Sequence, residues 1–188
     1  MKSKVLTLFL IIASMLAISS CVGGNSQQGE NSASSSIAEK SESAEAKTKW
    51  KYSEQLDEMT DATIYFASIT SENYTEFKFP YNNQLIYLTL TVRKHPQSGI
   101  NVYLSIPEGQ FNPTYPKTKI TARFGDENPE SWTCDMPSDG STEFLFIRDA
   151  ANFVKKLKDA NSIKISVEFF QEGSSTFSFI TEGFEWEH

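Results

Sequence analysis

Residues 86–106 read IYLTLTVRKHPQSGINVYLSI. Ile86, Leu88, Leu90 and Val92 occupy every second position, and so do Ile100, Val102, Leu104 and Ile106. Successive side chains of a strand point to opposite faces, so each run presents one apolar side. Pro96 to Gly99 between them carries turn chemistry. The stretch therefore predicts an antiparallel hairpin with one face in a core.

The same period of two recurs on both sides of the hairpin. It predicts strands over Thr63–Ile69, Phe77–Tyr81, Lys119–Phe124, Trp132–Met136 and Glu143–Ile147. It predicts two more over Ile163–Phe170 and Thr176–Ile180, joined by a turn at Gly173-Ser174-Ser175. One segment follows a different period. Ala150, Phe153, Val154 and Leu157 fall at i, i+3, i+4 and i+7, which places a short amphipathic helix over Asp149–Ala160. Asp149 suits the positive end of its dipole, and Lys155, Lys156 and Lys158 the negative end. About nine short strands and one helix indicate an all-β domain over residues 48–188, an antiparallel β-sandwich or open barrel.

Before this domain the composition changes twice. Lys2 and Lys4 precede an apolar run from Val5 to Ile18, a short basic region and hydrophobic core of the kind found in export signals. The run ends in Ile18-Ser19-Ser20-Cys21, which resembles the lipobox of bacterial lipoprotein precursors. That resemblance implies cleavage after residue 20 and lipid on the sulfur of Cys21. Residues 21–47 are mostly Gly, Ser, Asn, Gln, Ala, Glu and Lys, too poor in apolar surface to offset ordering entropy, and read as a disordered linker. A lipid-anchored envelope protein follows, with several acyl methylenes holding it to the membrane at about 0.8 kcal/mol each. The bilayer and leaflet are left open.

The chain has two cysteines. With Cys21 committed to lipid, Cys134 has no intramolecular disulfide partner, and its alternation with Trp132 and Met136 puts it on the buried face of a strand. The net charge is −7, and loss of Lys2 and Lys4 makes the processed chain more acidic still. Such a balance disfavours nucleic acid as a partner.

Several short motifs run through the domain: Asp57-Glu58-Met59-Thr60-Asp61, Phe79-Pro80-Tyr81, Gly109-Gln110-Phe111, Arg123-Phe124, Phe146-Ile147-Arg148, Phe169-Phe170-Gln171-Glu172-Gly173 and Gly183-Phe184-Glu185-Trp186. In this order they resemble a group of small exported bacterial lipoproteins, largely uncharacterised, whose domain is a β-sandwich. More distantly they are similar to type VI secretion accessory proteins and invasion-associated locus B proteins. The resemblance implies a fold and carries no catalytic residues; the paired cysteines associated with the locus B proteins are absent from this chain.

The residues offer little for catalysis. His95 and His188 are the two histidines, and His95 reads as a loop residue before Pro96. The chain lacks a nucleophile elbow, a His-Glu-x-x-His helix, a phosphate loop and a dinucleotide fingerprint. Asp126, Glu127 and Glu130, and then Asp135, Asp139 and Glu143, read as solvated turn carboxylates without calcium-loop spacing, so no metal or cofactor is expected. Arg93, Arg123 and Arg148 are read as structural ion-pair partners rather than anion sites. Among Tyr74, Phe77, Phe79, Tyr81, Tyr103, Phe111 and Tyr115, most supply core, with an exposed partner-binding cluster placed around Phe111, Pro113, Tyr115 and Pro116. The expectation is a non-catalytic envelope module for a protein or glycan partner. A carboxylate-dependent glycan hydrolase and an immunity or inhibitor lipoprotein are the alternatives.

Overall fold

The computed structural model describes residues 48–188, apart from 79, 82, 83, 115 and 116. The export signal, Cys21 and the linker lie outside the described residues, as does Tyr115. Nine strands and one helix follow in order: β1 (Lys51–Asp57), β2 (Ala62–Glu76), β3 (Leu85–His95), β4 (Gly99–Ser105), β5 (Thr118–Phe124), β6 (Glu130–Asp135), β7 (Phe144–Ile147), α1 (Ala150–Asp159), β8 (Ser162–Phe169) and β9 (Gly173–Ile180). Among the described residues the fold is all-β with a single helix where the 3.6-residue spacing puts it.

All nine strands belong to one antiparallel sheet, ordered β1-β2-β3-β4-β7-β6-β5-β8-β9. The hairpin of residues 86–106 forms as β3 and β4, with Leu90 opposite Leu104 and Val92 opposite Val102. Its three-residue turn closes on Gly99, whose φ of +70° is the left-handed conformation that glycine adopts without Cβ strain. His95 is the last residue of β3, and its Nδ1 accepts the backbone N–H groups of Gln97 and Ser98.

The sheet curls so that β2 returns against β9. Backbone pairing across that seam is replaced by side chains. Near the bulge between Thr70 and Tyr74, the Asn73 carboxamide donates to the Thr176 carbonyl at 2.9 Å and accepts the Ser178 N–H at 2.8 Å. Ser175 Oγ donates to Thr75 Oγ1 at 3.0 Å. Farther along, residues 181–186 run beside the start of β1. Trp50 Nε1 donates to the Thr181 carbonyl at 3.1 Å, and Tyr52 Oη accepts the Glu185 N–H at 2.8 Å.

The enclosed face is aromatic and aliphatic. Phe77, Phe111, Phe153, Phe169, Phe177 and Phe179 are among its largest fully buried side chains, each stabilising by roughly 1.5–3 kcal/mol relative to exposure. Helix α1 lies against β4, and its Phe153 meets Phe124 of β5 and Trp132 of β6 edge-on, with centroids 5.1 and 5.0 Å away. Asp149 caps it by accepting the Asn152 N–H. The helix links β7 to β8, and its apolar stripe of Ala150, Phe153, Val154 and Leu157 is buried.

Three expectations change. The strand expected over residues 77–81 is absent among the described residues: β2 runs on to Glu76, Phe77 drops into the core against Phe169 at 4.8 Å, and the Tyr81 N–H bonds the Lys78 carbonyl in a turn. The ninth strand is instead β1, whose positions are almost all exposed and carry little apolar alternation. The turn before β9 comprises Phe170, Gln171 and Glu172, since Phe169 already pairs with Gly173 and Ser174 with Glu168. Gly173, at φ +78°, closes that hairpin as Gly99 closes the other.

Candidate functional site

Phe111 is not at the surface. It is fully buried, stacked on Phe169 at 5.5 Å and bridged to it through the backbone. The exposure expected of it is not found: the loop turns its ring inward onto Phe169. Tyr115 and Pro116 lie outside the described residues, and Pro113 is exposed.

Exposed aromatics occur instead on the outward face of the sheet. Ala67, Val92 and Val102 are aligned across β2, β3 and β4 and point into the core, so the residues beside them point out. Two outward rows result from this register. Phe66, Arg93 and Asn101 form one; Ser68, Thr91, Tyr103 and Phe146 form the next, continuing onto β7. Phe144 follows opposite Ser105, and Tyr74 faces Tyr87 nearer the end of β3.

These rings touch. Tyr103 lies 5.2 Å from Phe146 and 6.1 Å from Phe144, and Tyr74 lies 5.6 Å from Tyr87, all tilted. Tyr74, Tyr87 and Phe144 are respectively 47%, 36% and 39% exposed, more than a ring committed to a core retains. Between the two groups the floor is small and hydroxylic: Thr70, Thr89 and Ser105 in one row, and Ser68 with Thr91 in the next, those two hydroxyls 3.0 Å apart. Aromatic faces beside hydroxyl groups suit a ligand with both apolar and hydrogen-bonding surface.

The arginines divide. Arg148 reaches Asp135, with Nε 2.8 Å from Oδ1, and Arg123 pairs with Asp126 at 3.4 Å. Both are the ion pairs the sequence suggests. Arg93 has no carboxylate among the described residues. Its Nε and Nη2 donate to Asn101 Oδ1 at 3.2 and 2.7 Å, and its guanidinium carbon lies 5.8 Å from the centre of the Tyr103 ring.

Other titratable groups are committed elsewhere. Glu127 and Glu130 both accept from Lys156 Nζ, at 2.9 and 2.8 Å, which holds the ammonium pKa above its ordinary value. Asp139 accepts the Ser141 N–H, so these turn acids act locally. A depression of about 410 Å³ at the start of α1 is lined by Glu130, Trp132, Arg148 and Asp149. Its acids are engaged: Glu130 with Lys156, Asp149 with the helix N–H. Cys134 is 2% exposed, and burial, with a smaller contribution from the charge on Asp135, pushes its thiol pKa up to about 12.

Tyr74 and Tyr103 belong to the aromatic set singled out in the sequence, whereas Phe66, Tyr87, Phe144 and Phe146 do not. The signal for one of these, Tyr87, lies in the decisive hairpin. If Ile86, Leu88 and Val102 face inward, Tyr87 and Tyr103 face outward. No protein-family description, curated protein or solved structure was found to match the chain.

Proposed function

We propose that this chain is a non-catalytic envelope lipoprotein, tethered through Cys21, whose β-domain receives a protein or glycan partner on the outward face of β2, β3, β4 and β7. The observation carrying this reading is the pair of exposed aromatic groups, Tyr74 with Tyr87 and Tyr103 with Phe144 and Phe146, flanking a hydroxylic floor. Half-exposed rings held in fixed positions by a sheet offer contact area at low entropic cost. The lipobox at Ile18–Cys21 supports the tether.

Crosslinking in intact cells tests the reading. A photoreactive group at Phe144 should capture the partner, and Tyr103→Ala with Tyr87→Ala should abolish capture while the melting temperature stays within a few degrees of wild type. Equal capture by the double variant would locate binding elsewhere. Labelled fatty acid should enter the wild type and not Cys21→Ser; equal labelling of both would remove the tether.

A further inference from the structure

Within that face, Arg93 is the group that remains chemically unexplained by the fold. An arginine in a sheet is ordinarily neutralised by a carboxylate, as Arg123 and Arg148 are. Arg93 is half-buried and makes its two hydrogen bonds to the neutral Asn101. Asn101 Oδ1 is itself held by Ser98 Oγ at 3.1 Å, so the acceptor that positions the guanidinium is fixed in turn.

The geometry leaves a defined part of the fork for a ligand. Nε and Nη2 are used by Asn101; Nη1 and the second N–H of Nη2 have no acceptor among the described residues. That remaining edge presents parallel donors, the arrangement that binds a carboxylate or phosphate through two oxygens. The surroundings are unusual for a chain of net charge −7. The outward positions around Arg93 are Phe66, Ser68, Thr91, Asn101, Tyr103 and, next along its own strand, His95, none of them acidic. In the Tyr103 row the next outward residue on β1 is Lys51, two strand spacings or about 10 Å from β3. Glu72, by the bulge, is held by Lys49 at 2.6 Å.

We infer that the ligand of this face is an anionic glycan, whose carboxylate or phosphate is received by Arg93 while a sugar ring lies on the neighbouring aromatic side chains. This rests on the binding role proposed above. Charge complementarity selects the anion: the face holds a cation with no carboxylate partner among the described residues, and the acids bordering it, Glu72 and Asp135, are paired with Lys49 and Arg148. The hydroxylic floor favours a sugar over an apolar protein surface, which would leave Thr70, Thr89 and Ser105 facing carbon.

The test is titration calorimetry of the full-length protein with three oligosaccharides of matched length: a polyuronate, a sugar-phosphate polymer and a neutral glucan. The inference expects binding of one or both acidic ligands, and the two acidic arms decide between carboxylate and phosphate. It expects affinity to fall with added salt and to drop about tenfold or more in Arg93→Gln, the loss that follows from removing hydrogen bonds to a charged group. Tyr103→Ala should weaken the same ligand. Equal binding of the neutral glucan, or an Arg93→Gln protein that folds and binds as wild type, overturns it. The wild-type salt dependence decides independently of any folding defect in the variant, since flat affinity across salt also overturns it. If no glycan binds while crosslinking through Phe144 still captures a protein, the glycan inference falls and the binding face stands. If neither occurs, both fall.

Discussion

The side-chain carbonyl of Asn73 on β2 accepts the backbone N–H of Ser178 on β9 at 2.8 Å, while its amide donates two residues back to the Thr176 carbonyl. A carboxamide carries the same donor and acceptor as a peptide group, so Asn73 occupies the place of one residue in a missing strand. It satisfies two backbone groups on the edge of β9 that would otherwise face water or another chain. The curled sheet thereby closes without a continuous ladder.

Asn73→Ala removes both hydrogen bonds and should destabilise the protein by about 1–2 kcal/mol. The discriminating measurement is amide exchange: the Ser178 N–H should lose protection while amides on β3 and β4 retain theirs. Unchanged exchange at Ser178 would mean the seam does not depend on this side chain.

Phe111→Ala should behave as a core truncation, costing about 3–5 kcal/mol in denaturant unfolding because the buried ring stacks on Phe169. Phe144→Ser on the outward face should cost far less, since that ring is already 39% exposed. Similar losses for the two variants would contradict the inward orientation of Phe111.

Gly109 sits at φ +102°, and a Cβ there would collide with the Phe77 ring. Gly109→Ala combines left-handed strain with overpacking, each worth roughly 1–3 kcal/mol, and Phe77 is wedged against Phe169. A marked fall in melting temperature is expected, partly recovered by Phe77→Leu in the same chain. No recovery in the double variant would assign the cost to the backbone alone.

Cys134 should be inert toward a thiol reagent at pH 8 in the native protein, because desolvation holds its pKa near about 12 and the sulfur is 2% exposed. In denaturant it should react as a free thiol. Rapid labelling under native conditions would show that β6 opens, and the labelling rate across pH would then report that opening.

Lys156 is clamped by Glu127 and Glu130, whose hydrogen bonds raise its pKa. A cation with a raised folded-state pKa stabilises fully below the unfolded value of about 10.4 and loses that contribution as pH rises through the folded value. The difference in stability between wild type and Lys156→Met should therefore be constant near neutrality and shrink in strongly alkaline solution. It should also decline with salt, as expected for a largely exposed ion pair. A difference that grows with pH would refute the clamp.

The period-two runs determine by themselves that this is an all-β domain, because alternation places every second side chain on one face whatever the strand order. Ile86 to Ile106 carries its own turn, and Ala150 to Leu157 its own helical stripe. For the same reason the outward phase of the hairpin, with Tyr87, Arg93 and Tyr103, is already legible. Tertiary structure decides what local pattern leaves open. It sets β1, which has almost no buried position, beside β2; it brings Asn73 and Ser178 together across 105 residues. It turns Phe111 inward and leaves Arg93 with Asn101 where Arg148 finds Asp135. These outcomes depend on strand order and curvature, which arise from long-range pairing, so nearby residues cannot specify them.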